Sequence, residues 1–304
     1  MYILEPVPHK TIWGGIKLNR YVPNSSDRLG HLYMVNGHKE MSNVILNGDC
    51  KGKTLREIFA DRKREWDMEE YEEFPLTIAL VDAADHLSIQ VHPDDITAEE
   101  IEHERIGKTE SWVFLDAPGS GWIYAGCRCK TKKEVETAVL NGEMEQITGH
   151  LEITKGDYVC VEAGTLHAMT AGCFVYEIEY GSDYTYRFYD YDRRDGEGNA
   201  RELHIDKALK AINPQIVPKN GKLQDEVWMR ENNYEICRKT NLKEYKNNSE
   251  TLECVSVIEG EGECENCPVK SGMSILLLPG EEISNVAIDT AMVARIRKAD
   301  GEKN

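Results

Sequence analysis

The stretch that most constrains the fold is residues 88–95, with the sequence SIQVHPDD. Its first five residues alternate polar and apolar side chains, a pattern typical of a half-buried strand. Side chains two residues apart on a strand point to the same face, so Gln90 and His92 project together. Pro93 cannot donate a ladder hydrogen bond, so we expect the strand to end after His92. The stretch therefore predicts an imidazole and an amide side by side at the rim of a sheet.

Two later segments carry residues of matching chemistry. Residues 107–112 (GKTESW) contain Glu110, and residues 164–167 (GTLH) end in His167. Two imidazoles and one carboxylate suit zinc or a similar divalent ion, with a position left open for a substrate. The alternative interpretation is a surface loop, a helix cap and a histidine satisfied by ordinary hydrogen bonds.

The net charge argues against some classes of partner. The 304 residues include 54 acidic and 36 basic side chains, which give a formal charge of −18. This balance disfavours nucleic acid and anionic membranes as partners, and an anionic substrate would need a local basic pocket. No apolar run has the length that spans a bilayer, and the first residues lack the pattern of a signal peptide. We therefore expect a soluble cytoplasmic protein, monomeric or homodimeric, that binds neither nucleic acid nor membranes.

The nine cysteines argue against a disulfide framework, because their number is odd and no secretory signal accompanies them. Cys264 and Cys267 form a CxxC pair. No second CxxC or close histidine pair completes the four ligands of a structural zinc site. We expect this pair to lie in a turn between two strands and to bind no essential metal.

Strands dominate the predicted secondary structure. Capping boxes at Thr54 and Thr131 predict two helices, the first running to about Glu70. Residues 219–222 are the best candidate for a linker. No alternation of strands and helices supports a parallel sheet, so the predicted class is mainly β with a few helical insertions. The predicted strands include residues 74–81, 88–92, 110–115, 122–125, 150–153, 158–161, 173–180 and 184–191, and short strands again beyond residue 225.

Two segments of the chain resemble each other. Residues 153–164 and 269–280 each contain a lysine and a glycine ahead of a strand, which ends in a small residue or proline followed by glycine. Only the first segment continues to a histidine, His167. We interpret the pattern as two barrels. Residues 1–220 would form a metal-binding catalytic barrel with helical insertions, and residues 221–304 a metal-free barrel.

The motifs taken together resemble one enzyme family. SIQVHPDD, GKTESW, AGTLHA and TYRFYDYDRRD followed by RELHIDKA, with IWGG near the N-terminus, closely resemble the type I mannose-6-phosphate isomerases of the short bacterial form. The resemblance runs from about Leu4 to Ala208 and continues more weakly beyond. It implies two cupin-type antiparallel β-barrels (jelly rolls). It also implies a zinc-dependent enzyme that interconverts mannose 6-phosphate and fructose 6-phosphate through an enediol.

The resemblance also implies roles for individual residues. One zinc ion per chain is expected, with ligands at His92, Glu110, His167 and, as in some members, Gln90. Arg187 matches the catalytic arginine, and Lys108 matches a lysine at the substrate site. Glu177 matches a carboxylate proposed as the base that moves the proton between C1 and C2. Lys108, Asp183 and a water molecule at the metal are alternatives for that base, and Asp183 is expected to bind substrate with Lys108 and Arg187.

Each of these assignments has a structural alternative. Arg187 would otherwise form an ion pair with Asp190 or Asp192, Lys108 would be a solvated turn lysine, and Glu177 would be the partner of a neighbouring arginine. For the protein as a whole, one alternative is a metal cupin of other chemistry, such as an iron or manganese oxygenase. The other is a sugar-phosphate-binding or regulatory protein descended from an isomerase.

The chain departs from the family pattern in three places. Residues 28–33 lack the Glu and Trp of a Gly-Glu-x-Trp segment that the short form usually carries. This departure alters the expected substrate pocket and favours the regulatory alternative. Glu162 stands where a proline is expected, and residues 179–181 (EYG) replace a Gln-rich run. The expected metal ligands are all present.

Overall fold

The structure, a computed structural model, describes residues 1–297, which form two compact units. One unit, called here the terminal unit, contains Met1–His9, Leu32–Leu80 and the chain from Leu223 on. The other contains Lys10–His31 and Val81–Lys222. All the residues predicted to bind metal or substrate belong to this second unit, which we call the site unit. The predicted division into barrels of residues 1–220 and 221–304 stays a prediction.

Strands account for most of the regular structure. In chain order they are β1 (Tyr2–Leu4), β2 (Val7–Gly15), β3 (Leu29–Val35), β4 (Leu76–Asp82), β5 (Ile89–Val91), β6 (Lys108–Asp116), β7 (Trp122–Cys127), β8 (Thr148–Glu152), β9 (Asp157–Val161), β10 (His167–Ala168), β11 (Phe174–Gly181), β12 (Tyr186–Tyr189), β13 (Lys219–Lys222), β14 (Met229–Arg230), β15 (Tyr234–Lys246), β16 (Glu253–Cys264), β17 (Cys267–Lys270), β18 (Ser274–Leu277) and β19 (Glu282–Ile296).

These strands form three sheets. The histidine sheet has the order β12-β5-β10-β7-β8, and the glutamate sheet has the order β13-β9-β6-β11-β4-β3-β2. The terminal sheet has the order β1-β18-β16-β19-β15-β14, with β17 paired to β16. The strand pairs that carry the site are antiparallel, as are those of the terminal sheet. The prediction of a mainly β fold with antiparallel sheets is confirmed.

The helices are short, and two of them, α1 and α3, begin where the sequence predicts. The α-helices of the described chain are α1 (Leu55–Arg62), α2 (Asp95–Glu102), α3 (Lys132–Asn141), α4 (Met144–Ile147) and α5 (Ile205–Ala211). Thr54 and Thr131 form the predicted capping boxes of α1 and α3. The prediction that α1 runs to about Glu70 is wrong, because Asp67 takes a left-handed conformation and the chain turns there. No helix among residues 1–297 has the length and apolarity needed to cross a membrane.

The segment predicted as a linker is a strand. Lys219–Lys222 is β13, which pairs antiparallel with β9 from Lys219 opposite Cys160 to Lys222 opposite Asp157. The Nζ of Lys222 lies 2.5 Å from a carboxylate oxygen of Asp157. The linker prediction was wrong because the Asn-Gly pair in this segment indicates a turn locally, whereas pairing with the edge of a sheet is a tertiary effect.

The two similar segments share a local backbone design. Gly156 ahead of β9 and Gly272 ahead of β18 have φ angles of 84° and 91°. Eight residues after each, Gly164 and Gly280 have φ angles of 85° and 82°. Glycine adopts this left-handed conformation without the penalty that a Cβ imposes, so each strand is framed by two turns that favour glycine.

The terminal sheet buries one apolar face. Val255 and Val257 of β16 pack with Ile275 and Leu277 of β18 in a single core cluster. At one end of this sheet, β16 and β17 form a hairpin in which Cys264 pairs with Cys267. Glu265 and Asn266 between them both have positive φ angles, as a tight hairpin turn requires. The two cysteines are therefore turn residues, as predicted, and their expected lack of an essential metal stays a prediction.

We predict that Thr131→Ala lowers the free energy of unfolding of the site unit by about 1 kcal/mol, because the side chain caps the backbone N–H of Glu134. The matched control is Thr137→Ala, the same chemical change in the exposed interior of the same helix. It should change the free energy of unfolding by less than about 0.5 kcal/mol. Urea unfolding followed by circular dichroism measures both. Equal losses in the two variants would contradict the capping role.

Candidate metal centre and substrate site

Strand register places three polar side chains in one row on the histidine sheet. His167 of β10 lies opposite Gln90 of β5, and Gln90 lies opposite Arg187 of β12. Directly opposite residues present their side chains on the same face of a sheet. Arg187 is therefore two strand spacings, roughly 10 Å, from His167 on a common face.

The other face of the histidine sheet is apolar. Ile89 and Val91, which flank Gln90 along β5, are fully buried. The period-2 alternation of β5 thus separates a packed core from a polar face. The apolar cluster on the core side includes Ile89, Val91, Ala168, Tyr186 and Phe188, with Val135 of α3 and Ala208 of α5.

Both histidines are held in one orientation by the backbone. His92 directly follows β5, and its Nδ1 lies 2.8 Å from the carbonyl oxygen of Tyr184. Nδ1 of His167 lies 2.8 Å from the carbonyl oxygen of Thr165. A carbonyl only accepts, so Nδ1 of each ring carries a proton, and Nε2 is the ring nitrogen left to bind a metal ion. Burial lowers the pKa of His167 to about 4, which keeps it neutral at neutral pH.

Glu110 completes the set from the glutamate sheet. Its Oε2 lies 3.1 Å from Nε2 of His92, and its Oε1 lies 3.4 Å from Nε2 of His167. The carboxylate is 2% exposed. Burial alone would raise the pKa of Glu110, but His92 and Lys108 hold it well below its usual range. The carboxylate is therefore ionised.

This group of three residues fits a divalent metal ion. The ligand atoms of His92, Glu110 and His167 all lie within 4.8 Å of one another. Nε2 of His92 and Oε1 of Glu110 are buried without a hydrogen-bond partner, which is costly unless another ligand satisfies them. We therefore identify the three residues as a candidate metal site. His92 is 1% exposed, which argues against a surface loop as its environment.

Gln90 lies next to this site, and its amide nitrogen, rather than its amide oxygen, points toward His167. Nε2 of Gln90 is 3.3 Å from Nε2 of His167, and Oε1 of Gln90 accepts a hydrogen bond from Ser88 at 2.9 Å. Only the amide oxygen can bind a metal ion. The role of Gln90 as a ligand therefore stays a prediction.

Lys108 is buried beside the candidate metal site. Its Nζ lies 2.5 Å from Oε1 of Glu179 and 3.3 Å from Oε2 of Glu110. Burial alone would lower the pKa of Lys108, but the carboxylates of Glu179, Glu110 and Glu177 raise it above its usual value. The ammonium group is therefore charged, and the alternative of a solvated turn lysine is wrong. Its role toward substrate stays a prediction.

Glu177 shares the polar face of the glutamate sheet with the candidate ligand. On the β6–β11 pair, Glu177 lies opposite Trp112 and Glu179 lies opposite Glu110. The indole N–H of Trp112 donates to Oε1 of Glu177 at 2.9 Å, so the described partner of Glu177 is an indole rather than an arginine. Burial, followed by the charges of Glu179 and Glu110, raises the pKa of Glu177 well above its usual value. A carboxyl group tuned in this way suits proton transfer near neutral pH.

Arg187 is not the partner of Asp190. Both oxygens of Asp190 are bound by Arg201, at 2.8 and 2.6 Å, and Arg193 pairs with the same carboxylate. The Nε of Arg187 is buried without a hydrogen-bond partner. Burial and then the charge of Arg201 lower the pKa of Arg187, although a guanidinium stays charged. The described contacts leave Arg187 able to bind a ligand oxygen on the face it shares with His167.

Two further residues near the site are Asp183 and Glu179. Asp183 is exposed in the segment between β11 and β12, and its role in substrate binding stays a prediction. Glu179 is a site residue that the sequence interpretation missed. The alternation that was applied to Gln90 and His92 also places Glu177 and Glu179 on one face of β11, so the signal was present.

The segment that departs from the family pattern is packed locally. The side chain of Arg28 donates from Nε to the carbonyl oxygen of Gly14 at 2.8 Å. The ring of His31 meets that of Trp13 edge-on, with centroids 5.1 Å apart. Arg28 and His31 of this segment thus contact their neighbours within the site unit.

The fold and the site together are those of a cupin with a candidate metal centre. The family model for the catalytic domain of type I phosphomannose isomerase matches residues 1–109. YvyI of Bacillus subtilis is 35% identical over 293 residues, which cover 90% of this chain and 92% of that protein. The mannose-6-phosphate isomerase ManA of the same organism is 32% identical, with 90% and 91% covered.

A solved structure agrees with these relatives. The crystal structure of the mannose 6-phosphate isomerase from Bacillus subtilis matches with a TM-score of 0.84 at 32% identity, over 97% of this chain and 99% of that one. The chain belongs to the type I phosphomannose isomerase family. The resemblance drawn from the motifs is confirmed.

We predict that His167→Ala purifies with little or no bound metal. The substitution removes one of the three candidate ligands, whose ring is held in place by the carbonyl oxygen of Thr165. His150→Ala is the matched control, since His150 is an exposed histidine stacked on Trp122. Its metal content should equal that of the unmodified protein, about one ion per chain. Inductively coupled plasma mass spectrometry gives both values. Full occupancy in His167→Ala would place the metal elsewhere.

Proposed function

We propose that this protein is a zinc-dependent isomerase that interconverts mannose 6-phosphate and fructose 6-phosphate. The observation that carries the proposal is the buried set of His92, Glu110 and His167, with both Nε2 atoms facing one carboxylate. The chain that carries this set matches the mannose-6-phosphate isomerase ManA over nine tenths of its own length. Two imidazole nitrogens and a carboxylate oxygen are donors that suit zinc. One ion per chain is proposed.

The reaction moves a proton between C1 and C2 of the sugar, and the enediol that forms must be supported. When bound, zinc supplies Lewis acidity that polarises the carbonyl next to the C–H bond. His92, Glu110 and His167 would hold it, and all three side chains are buried. The apolar core behind β5 and β10 supports the strands next to His92 and His167.

Glu177 is the residue we propose as the base that takes up the proton. Its raised pKa and its hydrogen bond from Trp112 suit a carboxylate that is held in one orientation and exchanges a proton near neutral pH. Lys108 is less suited, because its paired carboxylates keep it protonated. Asp183 is exposed, so its carboxylate keeps an ordinary solvent shell.

Arg187 and Lys108 are the cations we propose for the anionic parts of the substrate. The free N–H of Arg187 would bind an enediolate or phosphate oxygen through a planar guanidinium. The ammonium of Lys108 keeps one donor beyond those directed at Glu179 and Glu110, and this donor would bind a substrate oxygen. The proposed partner is thus a small sugar phosphate. A cytoplasmic location and a monomeric or homodimeric state stay predictions.

The test is an isomerase assay with mannose 6-phosphate, coupled to the detection of fructose 6-phosphate. Turnover by the purified protein should depend on bound zinc and be absent from His167→Ala prepared in parallel. A protein with zinc bound at this site and no turnover would overturn the proposal in favour of a sugar-phosphate-binding role. Iron or manganese as the resident metal, without isomerase activity, would favour a cupin of other chemistry.

We predict that Arg187→Ala keeps its metal and its fold but loses on the order of 10²–10³ in kcat, by analogy with the loss of one oxyanion-hole donor. A donor that acts mainly in the transition state lowers kcat more than it raises KM. Arg187→Lys should rescue poorly because a point charge does not replace the planar fork. Arg194→Ala, at an exposed arginine of the same segment, is the control. Near-normal kcat in Arg187→Ala would show that its guanidinium is not catalytic.

We predict a pH dependence that is set by Glu177. A base must be ionised to act, so kcat/KM should rise with pH through the pKa of Glu177. That pKa is raised, so the acid limb of the profile should lie well above 4.5. Glu177→Gln should remove this limb and lose roughly 10²–10⁴ in kcat, the usual contribution of a general base. An acid limb that persists unchanged in Glu177→Gln would assign the proton transfer to another group.

A further inference from the structure

Lys108 lies close to two carboxylates, that of Glu179 and that of Glu110 in the candidate metal site. Its Nζ is 2.5 Å from Oε1 of Glu179 and 3.3 Å from Oε2 of Glu110. Hydrogen bonds between an ammonium and a carboxylate are normally about 2.7–2.9 Å long. The ammonium group is therefore fully paired with Glu179 and only loosely paired with Glu110.

The oxygen that Lys108 approaches belongs to the carboxylate of the candidate metal site. Oε2 of Glu110 also lies 3.1 Å from Nε2 of His92, the atom presented as a metal ligand. An ammonium group and a metal ion bind the same lone pairs of a carboxylate, so a tight ion pair with Lys108 would weaken Glu110 as a ligand. The spacing of 3.3 Å avoids this competition.

A buried ammonium group needs a partner. Lys108 is 5% exposed, so losing its ion pair would leave an uncompensated charge in the protein. Glu177 has Oε1 engaged by the indole N–H of Trp112. If the carboxylate of Glu179 were removed, Glu110 would be the nearest ionised carboxylate to which Nζ is already close.

We propose that Glu179 is a positioning residue that holds the ammonium group of Lys108 off Glu110 and so keeps Glu110 free to bind the metal ion. The register that sets Glu179 directly opposite Glu110 puts both carboxylates within reach of the one lysine. The proposal rests on the candidate metal site but not on the isomerase reaction. A binding measurement without substrate therefore separates its failure from that of the proposed function.

The test measures the affinity for zinc by competition with a chelator of known affinity, in the unmodified protein, Glu179→Ala, Lys108→Met and the double variant. Glu179→Ala should weaken binding by about 10–100-fold, the usual cost of losing a residue that supports a ligand. The same substitution in the Lys108→Met background should change the affinity by less than about threefold. The control is Asp116→Ala. Asp116 is exposed at the end of β6, the strand that carries Lys108, and its carboxylate lies 3.3 Å from Lys17. This variant should leave the affinity for zinc unchanged.

The comparison between backgrounds decides the outcome. A loss of similar size with and without Lys108 would make Glu179 a general structural support and overturn the proposal, as would an unchanged affinity in Glu179→Ala. Circular dichroism checks that each variant is folded. If Glu179→Ala is not folded, Glu179→Gln takes its place, because it keeps the volume and an accepting oxygen while removing the charge. Glu179→Gln should lose less affinity for zinc than Glu179→Ala, and this loss should again occur only when Lys108 is present.

Discussion

The interaction on which the site depends is a carboxylate buried between two imidazoles and an ammonium group. Removing an ionised carboxylate such as Glu110 from water costs several kcal/mol unless charges and hydrogen bonds replace the solvent. Nζ of Lys108 lies 3.3 Å and Nε2 of His92 lies 3.1 Å from the same oxygen, Oε2 of Glu110. That combination leaves Glu110 partly unsatisfied. A bound cation would satisfy Oε1 of Glu110, which has no hydrogen-bond partner, and this is why the three residues form a metal centre in the proposed function.

The residues of the candidate metal site could be predicted because each comes from a local pattern. Alternation along β5 and the proline after it placed His92 beside Gln90, and short motifs placed Glu110 and His167. The pairing of Lys108 with Glu179 was not predicted, because it depends on the register of β6 with β11, which lies beyond any local pattern. For the same reason the segment Lys219–Lys222 was taken for a linker, although it pairs with β9.

Arginine side chains of the site unit would allow this acidic protein to bind a phosphate. The chain carries a formal charge of −18, so a phosphate needs a local surplus of positive charge. Asp190 binds two arginines, Arg193 and Arg201, and Arg187 remains without an ion pair to it. With Asp85, which lies 3.8 Å from Arg193, these five side chains together carry one net positive charge. The need for local positive charge followed from composition alone, whereas the pairing of Asp190 with Arg193 and Arg201 became evident only from the structure.

The most direct test of this account is the position of the metal ion in a crystal of the purified protein, located by anomalous diffraction at the zinc absorption edge. The account predicts one peak per chain, about 2.0–2.2 Å from Nε2 of both His92 and His167 and from an oxygen of Glu110. A peak at Cys264 and Cys267, or coordination of the metal through Nδ1 of either histidine, would contradict it.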